Sequence, residues 1–94
     1  MINAKEARMI TQEYVQTKSE KELPQTRIRI DANIKDAASK GQLMTRVNLP
    51  VELMSEHCNI IINELEALGY NVKLKFINGY IPQLKINWLE VNNG

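Results

Sequence analysis

Cysteine and histidine are scarce in this chain. Its 94 residues include one cysteine, Cys58, and one histidine, His57. A single cysteine excludes an internal disulfide and a cysteine-based metal cluster, and it fits a reducing, cytosolic setting. Because neighbouring residues of a helix point about 100° apart, His57 and Cys58 cannot act together as base and nucleophile. We therefore expect no enzyme, no metal site and no cofactor, with Cys58 buried and His57 at the boundary of the core or at the surface.

Long apolar runs and an excess of one charge are also missing. The longest apolar run, Ile60–Ile62, is far short of the ~20 residues that a membrane span needs. Twelve Lys and Arg residues balance eleven Asp and Glu residues, so the formal net charge is +1. A protein that binds duplex DNA by general neutralisation of its phosphates needs a larger positive charge. We expect a soluble protein that contacts neither a membrane nor duplex DNA.

The short chain limits the core. We expect a single domain over residues 1–94, which buries only ~60–65% of the surface that the unfolded chain exposes. One small core does not absorb every apolar side chain, and five are left over: Met9, Val15, Ile28, Leu89 and Val91. We therefore expect the protein to form a homo-oligomer.

The first quarter of the chain predicts a short helix. Asn3 can cap it and Glu6 can complete a capping box, so the helix begins at residue 4. Its apolar positions form a narrow stripe of Ala7, Ile10 and Tyr14. Because Pro24 follows a polar segment, we expect the helix to end near residues 18–22 and residues 17–25 to be a polar connection.

Residues 26–41 show two patterns at once. Isoleucines and an alanine alternate as in a strand, but Ile30, Ile34 and Ala37 also recur at helical spacing. Acid–base pairs four residues apart, such as Asp36 and Lys40, favour a helix, and Gly41 is placed to end it. We therefore predict a second helix. Alternation over residues 43–49 then predicts a strand.

A third helix is predicted from Pro50 to Leu68, because Pro50 suits a first helical turn and Gly69 a helix end. Six residues at spacings of three and four form its apolar stripe: Met54, Cys58, Ile61, Ile62, Leu65 and Leu68.

The last third predicts a hairpin whose loop has an odd number of residues. A two-residue Asn78-Gly79 turn would send Leu84 and Ile86 to the face that carries Lys73, so a longer loop or a bulge, with Pro82 in the irregular part, is required. The predicted fold class is α+β: two N-terminal helices, a strand, a helix and a β-hairpin (ααβαββ). Helices cover one face of the three-stranded sheet.

Two groups of basic residues are candidate ligand sites. The N-terminal group comes first: Lys5 and Arg8 would contact phosphate near Asn3, where free N–H groups of a helix start favour an anion. The second group comprises Arg46 and the lysines that share the outer face of the hairpin, Lys73, Lys75 and Lys85. Alternatively, lysines on an exposed sheet face only keep the protein soluble and protect the sheet edges from pairing. Trp88 could stack on a base, although it also suits the core.

Five motifs, spread over nearly the whole chain, resemble those of a widespread set of small bacteriophage proteins with an N-terminal INAKEAR-like motif. They are Ile2–Arg8, Ala37–Gly41, Leu49–Pro50, Leu68–Val72 and Leu84–Trp88. Some small phage proteins of this kind are similar to the anti-CBASS nucleotide sponges. The resemblance implies a homo-oligomer, such as a tetramer, in the cytoplasm of the infected bacterial host. It would sequester a cyclic oligonucleotide signal without cleaving it.

Two other functions stay open at this point. A phage host-takeover protein would inhibit a bacterial protein by direct binding, through an apolar or acidic surface. A structural or regulatory module would bind no small ligand. Binding of a cyclic nucleotide by the folded protein would separate the first reading from these two.

Overall fold

A computed structural model of the chain describes residues 1–89. The elements in order are α1 (Ala4–Ser39), β1 (Met44–Asn48), α2 (Ser55–Ala67), β2 (Asn71–Ile77) and β3 (Ile81–Asn87). The predicted α+β class and three-stranded sheet are confirmed. The predicted pair of N-terminal helices is wrong, because α1 is one continuous helix. Val91 lies outside the described residues.

Pro24 lies inside α1 instead of ending it. A proline removes one helical hydrogen bond, here the bond to the carbonyl of Glu20, and its ring is exposed. On the other side of the helix, Ser19 and Thr26 are fully buried against the rest of the molecule. Packing on both sides of the proline therefore holds the helix together, so the predicted connection over residues 17–25 is helical.

The two ends of α1 follow the sequence signals. At the start, the Asn3 side chain accepts a hydrogen bond from the backbone N–H of Glu6 at 2.8 Å. At the other end, Gly41 has φ 77 and the N–H of Gln42 donates to the carbonyl of Ala37 at 2.9 Å. Such a left-handed residue after a helix is easiest for glycine. The predicted helical state of residues 26–39 is confirmed.

Most of the first part of α1 extends beyond the body of the protein, and it borders residues 51–54 only near Tyr14 and Val15. All side chains of residues 1–17 are exposed. A helix of this length extends for about 54 Å, and the molecule measures 63 × 26 × 26 Å. We call residues 4–17 the arm.

The sheet has the order β1–β3–β2, with both outer strands antiparallel to β3. Leu74 lies opposite Leu84, and three residues, 78–80, link β2 to β3. The predicted odd-length loop is confirmed. Pro82, however, is part of β3 and not of an irregular segment. The carbonyl of Pro82 accepts a hydrogen bond from the N–H of Leu49, just after β1. Because the N–H and C=O of one residue point to the same side of an antiparallel strand, the missing N–H of Pro82 also lies on that side, and no hydrogen bond with β2 is lost.

The core lies between the two helices and one face of the sheet. It consists of Ile30, Ile34, Val47, Leu49, Leu53, Cys58, Ile61, Leu65, Leu84 and Ile86.

Two predictions for the third helix are wrong. The helix begins at Ser55, because residues 50–53 form a turn, and Leu68, at its end, is 75% exposed. Leu74 and Phe76 share the core face but stay exposed, because β2 is an outer strand that the helices cover incompletely.

An ion pair joins the exposed sides of the two helices. The Arg27 guanidinium donates to both carboxylate oxygens of Glu64, at 3.0 and 2.6 Å. The hydrogen bond lowers the pKa of the Glu64 carboxyl and raises the pKa of Arg27. Within residues 1–89, neither helix has a stretch that is both long and apolar enough to cross a membrane.

Candidate functional site

The helices leave one face of the sheet uncovered. Side chains alternate along a strand, and Leu84 and Ile86 of β3 are fully buried on the covered face. Gln83 and Lys85 therefore lie on the other face, which we call the open face. The strand register adds these side chains from the two outer strands: Met44, Arg46, Asn48, Asn71, Lys73, Lys75 and Ile77.

Three cations form a row across the open face. Arg46 on β1 lies opposite Lys85 on the central strand, and Lys73 on β2 lies opposite the same lysine. Lys75 lies on the same face, two residues after Lys73 on β2 and opposite Gln83. All four side chains are exposed, and none of the strand residues on this face is acidic. The structure thus brings together the basic residues of the second predicted group.

This arrangement works against folding in the absence of a ligand. Like charges directly opposite each other on neighbouring strands are destabilising. A bound anion would turn this repulsion into attraction, so the row has the electrostatics of a phosphate site.

Amide side chains border the cationic row. On one side, the Gln83 side chain donates to the Asn48 side-chain oxygen at 2.9 Å. On the other side, Asn71 and Asn87 lie opposite each other. Amides carry both donors and acceptors, as do the edges of nucleobases. Asn48 and Gln83 were not among the predicted site residues, although the same alternation that assigns Arg46 and Lys85 to this face assigns them too.

An open cleft of about 540 Å³ runs along the start of β1 and ends at Arg46. Residues 42–46 line it. Ligand sites in proteins commonly have volumes of about 300–1,000 Å³. Arg46 therefore borders both this open depression and the cationic row.

The first predicted group, at the N-terminus, is far from the open face. Lys5 and Arg8 lie on the arm and Asn3 directly precedes it, about 40 Å along the helix axis from Ile30 in the core. The Asn3 side chain already occupies one N–H of the helix start, and the Glu6 carboxylate is 3.4 Å from its amide nitrogen. A negative charge at this position disfavours an anion. The structure does not bring the two groups together.

Trp88 is placed with the core and not with the cations. It packs, half-buried, against the core cluster. Its ring meets that of Tyr70 edge-on, with centroids 6.1 Å apart. Continuing the alternation of β3 beyond Ile86 puts Trp88 on the covered side of the sheet. A ligand on the open face therefore has no stacking contact with this ring.

His57 is buried, contrary to the prediction that it lies at the boundary of the core or at the surface. Its Nδ1 is hydrogen-bonded to the Ser19 hydroxyl at 2.5 Å. The same hydroxyl oxygen accepts from the backbone N–H of Met54 at 2.8 Å. This serine–histidine pair joins α1 to the start of α2. Because Ser19 is fully buried, a substrate cannot reach the pair.

Within residues 1–89, no three side chains of the metal-binding types histidine, cysteine, aspartate and glutamate cluster as a metal site would require. Comparisons with protein-family models, curated proteins and solved structures give no match to this chain. The open face is therefore the candidate site on its geometry and charge alone.

Proposed function

We propose that the protein binds a small phosphate-bearing nucleotide on the open face and holds it without cleaving it. The observation that supports this proposal is the row of Arg46, Lys85 and Lys73, aligned by the strand register on a face whose strand residues include no acid. In the resemblance to phage nucleotide sponges, the ligand would be a cyclic oligonucleotide immune signal in the cytoplasm of the infected host.

The number of cations fits a ligand with two or three phosphates. A single exposed charge pair gains only about 1 kcal/mol in water, so one lysine does not make a site. Lys75 extends the row toward the Asn48–Gln83 amide pair, which can hydrogen-bond to a base or to ribose hydroxyls. Arginine can hold a phosphate through two parallel hydrogen bonds, and this gives Arg46 the strongest single contact.

Thermal unfolding of the purified protein against a panel of cyclic di- and trinucleotides tests the proposal. A ligand that binds only the folded state raises stability by RT ln(1 + [L]/Kd), or roughly 2.7 kcal/mol at a hundredfold excess over Kd. Chromatography of the recovered ligand should show it intact. If no member of the panel changes the unfolding temperature, the nucleotide proposal fails.

One observation favours a second function, direct inhibition of a bacterial protein. Leu74 and Phe76 are 39% and 55% exposed, and with Val51 and Tyr80 they line a cleft of about 230 Å³. Exposed aromatic and aliphatic side chains around a cleft are typical of protein-binding surfaces. A host protein captured by the wild type and lost with Phe76→Asp, with no effect of Lys73→Gln, would support this function instead.

A further inference from the structure

A line of side chains runs along α1 at alternating spacings of three and four. Its members, which we call the seam, are Ala7, Ile10, Tyr14, Thr17, Lys21, Pro24 and Ile28. The three large apolar ones, Ile10, Tyr14 and Ile28, are 58%, 69% and 66% exposed. This spacing is that of the a and d positions of a two-stranded coiled coil.

Most of the seam faces away from the rest of the molecule, although Tyr14 also borders a cleft formed with residues 51–54. The residues of α1 that are buried in the body, such as Ser19, Thr26 and Ile30, lie about 180° around the helix from the seam at 3.6 residues per turn. A second helix laid along the seam would therefore not meet the sheet or α2 of the same chain. The open face lies on the far side of the sheet from α1 and would stay accessible.

A partner would stabilise the arm as a helix. All side chains of residues 4–17 are exposed, so the arm gains little from packing within the chain, and such packing supplies most of the stability of helices in proteins. Burying Ile10 and Tyr14 against another helix would supply the missing stabilisation.

Charged residues beside the seam favour one partner and one direction. Glu6, Glu13 and Glu20 follow one flank, and Lys18 lies on the other. In a parallel pair of identical helices, Glu13 of each copy approaches Lys18 of the other, so two ion pairs form. In an antiparallel pair, the glutamate flanks would face each other and repel.

We propose that α1 pairs with α1 of a second copy in a parallel coiled-coil dimer. Lys21 is then the polar residue at an a position, and such a residue fixes register and favours a dimer at some cost in stability. The proposal does not depend on nucleotide binding, and it assigns the seam and the open face to opposite sides of each copy.

Disulfide cross-linking tests the direction of the helices. We expect Thr17→Cys, in the seam, to form a covalent dimer under mild oxidation, because the two Cα atoms of a parallel pair come within disulfide reach there. Gln12→Cys, on the opposite side of the arm, is the matched control and should stay reduced. Cys58 is present and buried in both variants. Equal cross-linking of the two variants, or none at Thr17, would overturn the proposal.

Sedimentation of the protein without nucleotide tests whether the seam is the dimer interface. We expect the wild type to be a dimer at ~100 μM, a concentration at which micromolar self-association is evident. Tyr14→Glu should weaken the dimer by about 100-fold or more, because it places a charge in the buried seam. Met9→Glu, which alters an equally exposed side chain outside the seam, should leave it intact. A monomeric wild type, or equal loss in both variants, would exclude this interface.

Discussion

The Ser19 hydroxyl on α1 meets the Nδ1 atom of His57 on α2, 38 positions further along the chain, inside the protein. This hydrogen bond supplies a partner for the buried Nδ1 atom of His57. Ser19 also accepts the N–H of Met54, directly before α2. Through these two hydrogen bonds Ser19 joins α1 to the start of α2.

Ser19→Ala should lower the free energy of unfolding by about 1–3 kcal/mol, because it leaves two buried polar groups unpaired. Thr11→Ala is the matched control, since it removes an exposed hydroxyl whose only hydrogen bond goes back to the Ala7 carbonyl. Urea unfolding of the two variants and the wild type measures the difference. Equal stability of all three proteins would show that the buried pair contributes nothing.

Pro24→Ala should stabilise the protein by about 1–3 kcal/mol. Alanine restores the hydrogen bond to the Glu20 carbonyl and has the best helix propensity, while the greater freedom of the unfolded chain offsets part of this gain. Gln25→Ala, at the neighbouring exposed position, should change little. A lower unfolding temperature for Pro24→Ala would mean that α1 is not continuous at this point.

Cys58→Ala should destabilise by about 1–2 kcal/mol through lost burial, without changing nucleotide binding. Burial raises the pKa of the Cys58 thiol, so little thiolate forms near neutral pH. A thiol reagent should therefore label the native protein slowly and the urea-unfolded protein fast. Rapid labelling of the native protein would contradict the packing of α2.

Glu64→Gln should cost a small amount of stability that depends on pH. The folded-state pKa of Glu64 is lowered, so its contribution is present above the unfolded value and disappears as the pH falls below 4.5 through the folded pKa. Because the pair is about half exposed, we expect only ~0.2–1 kcal/mol at pH 7. Glu66→Gln, on the same helix, is the control. A difference that persists at pH 2 would have another cause.

Local signals in the sequence predict the ends of elements well. Gly41 and Gly69 end the two helices as expected, because a left-handed residue has few alternatives to glycine. The hairpin loop follows from parity, since one residue of slip would turn Leu84 and Ile86 out of the core.

Long-range packing explains the errors. Judged from the local sequence alone, Pro24 ends a helix, but the hydrogen bonds of Ser19 and the burial of Ile30 and Ile34 outweigh one missing hydrogen bond. The burial of His57 was not predicted, because its hydrogen-bond partner, Ser19, is far away in the sequence and meets it only in the fold. For the candidate site, alternation predicts the lysines of the hairpin, while the position of Arg46 beside them depends on the pairing of β1 with β3.

Calorimetric titration of cyclic nucleotides into three proteins tests the central claim most directly. The proteins are the wild type, a Lys73→Gln/Lys85→Gln variant of the open face and a Lys5→Ala/Arg8→Ala variant of the arm. We predict that the wild type and the arm variant bind alike, while the open-face variant loses at least about tenfold in affinity, or ~1.4 kcal/mol. Undiminished binding by the open-face variant, or a loss confined to the arm variant, would contradict the assignment of the site.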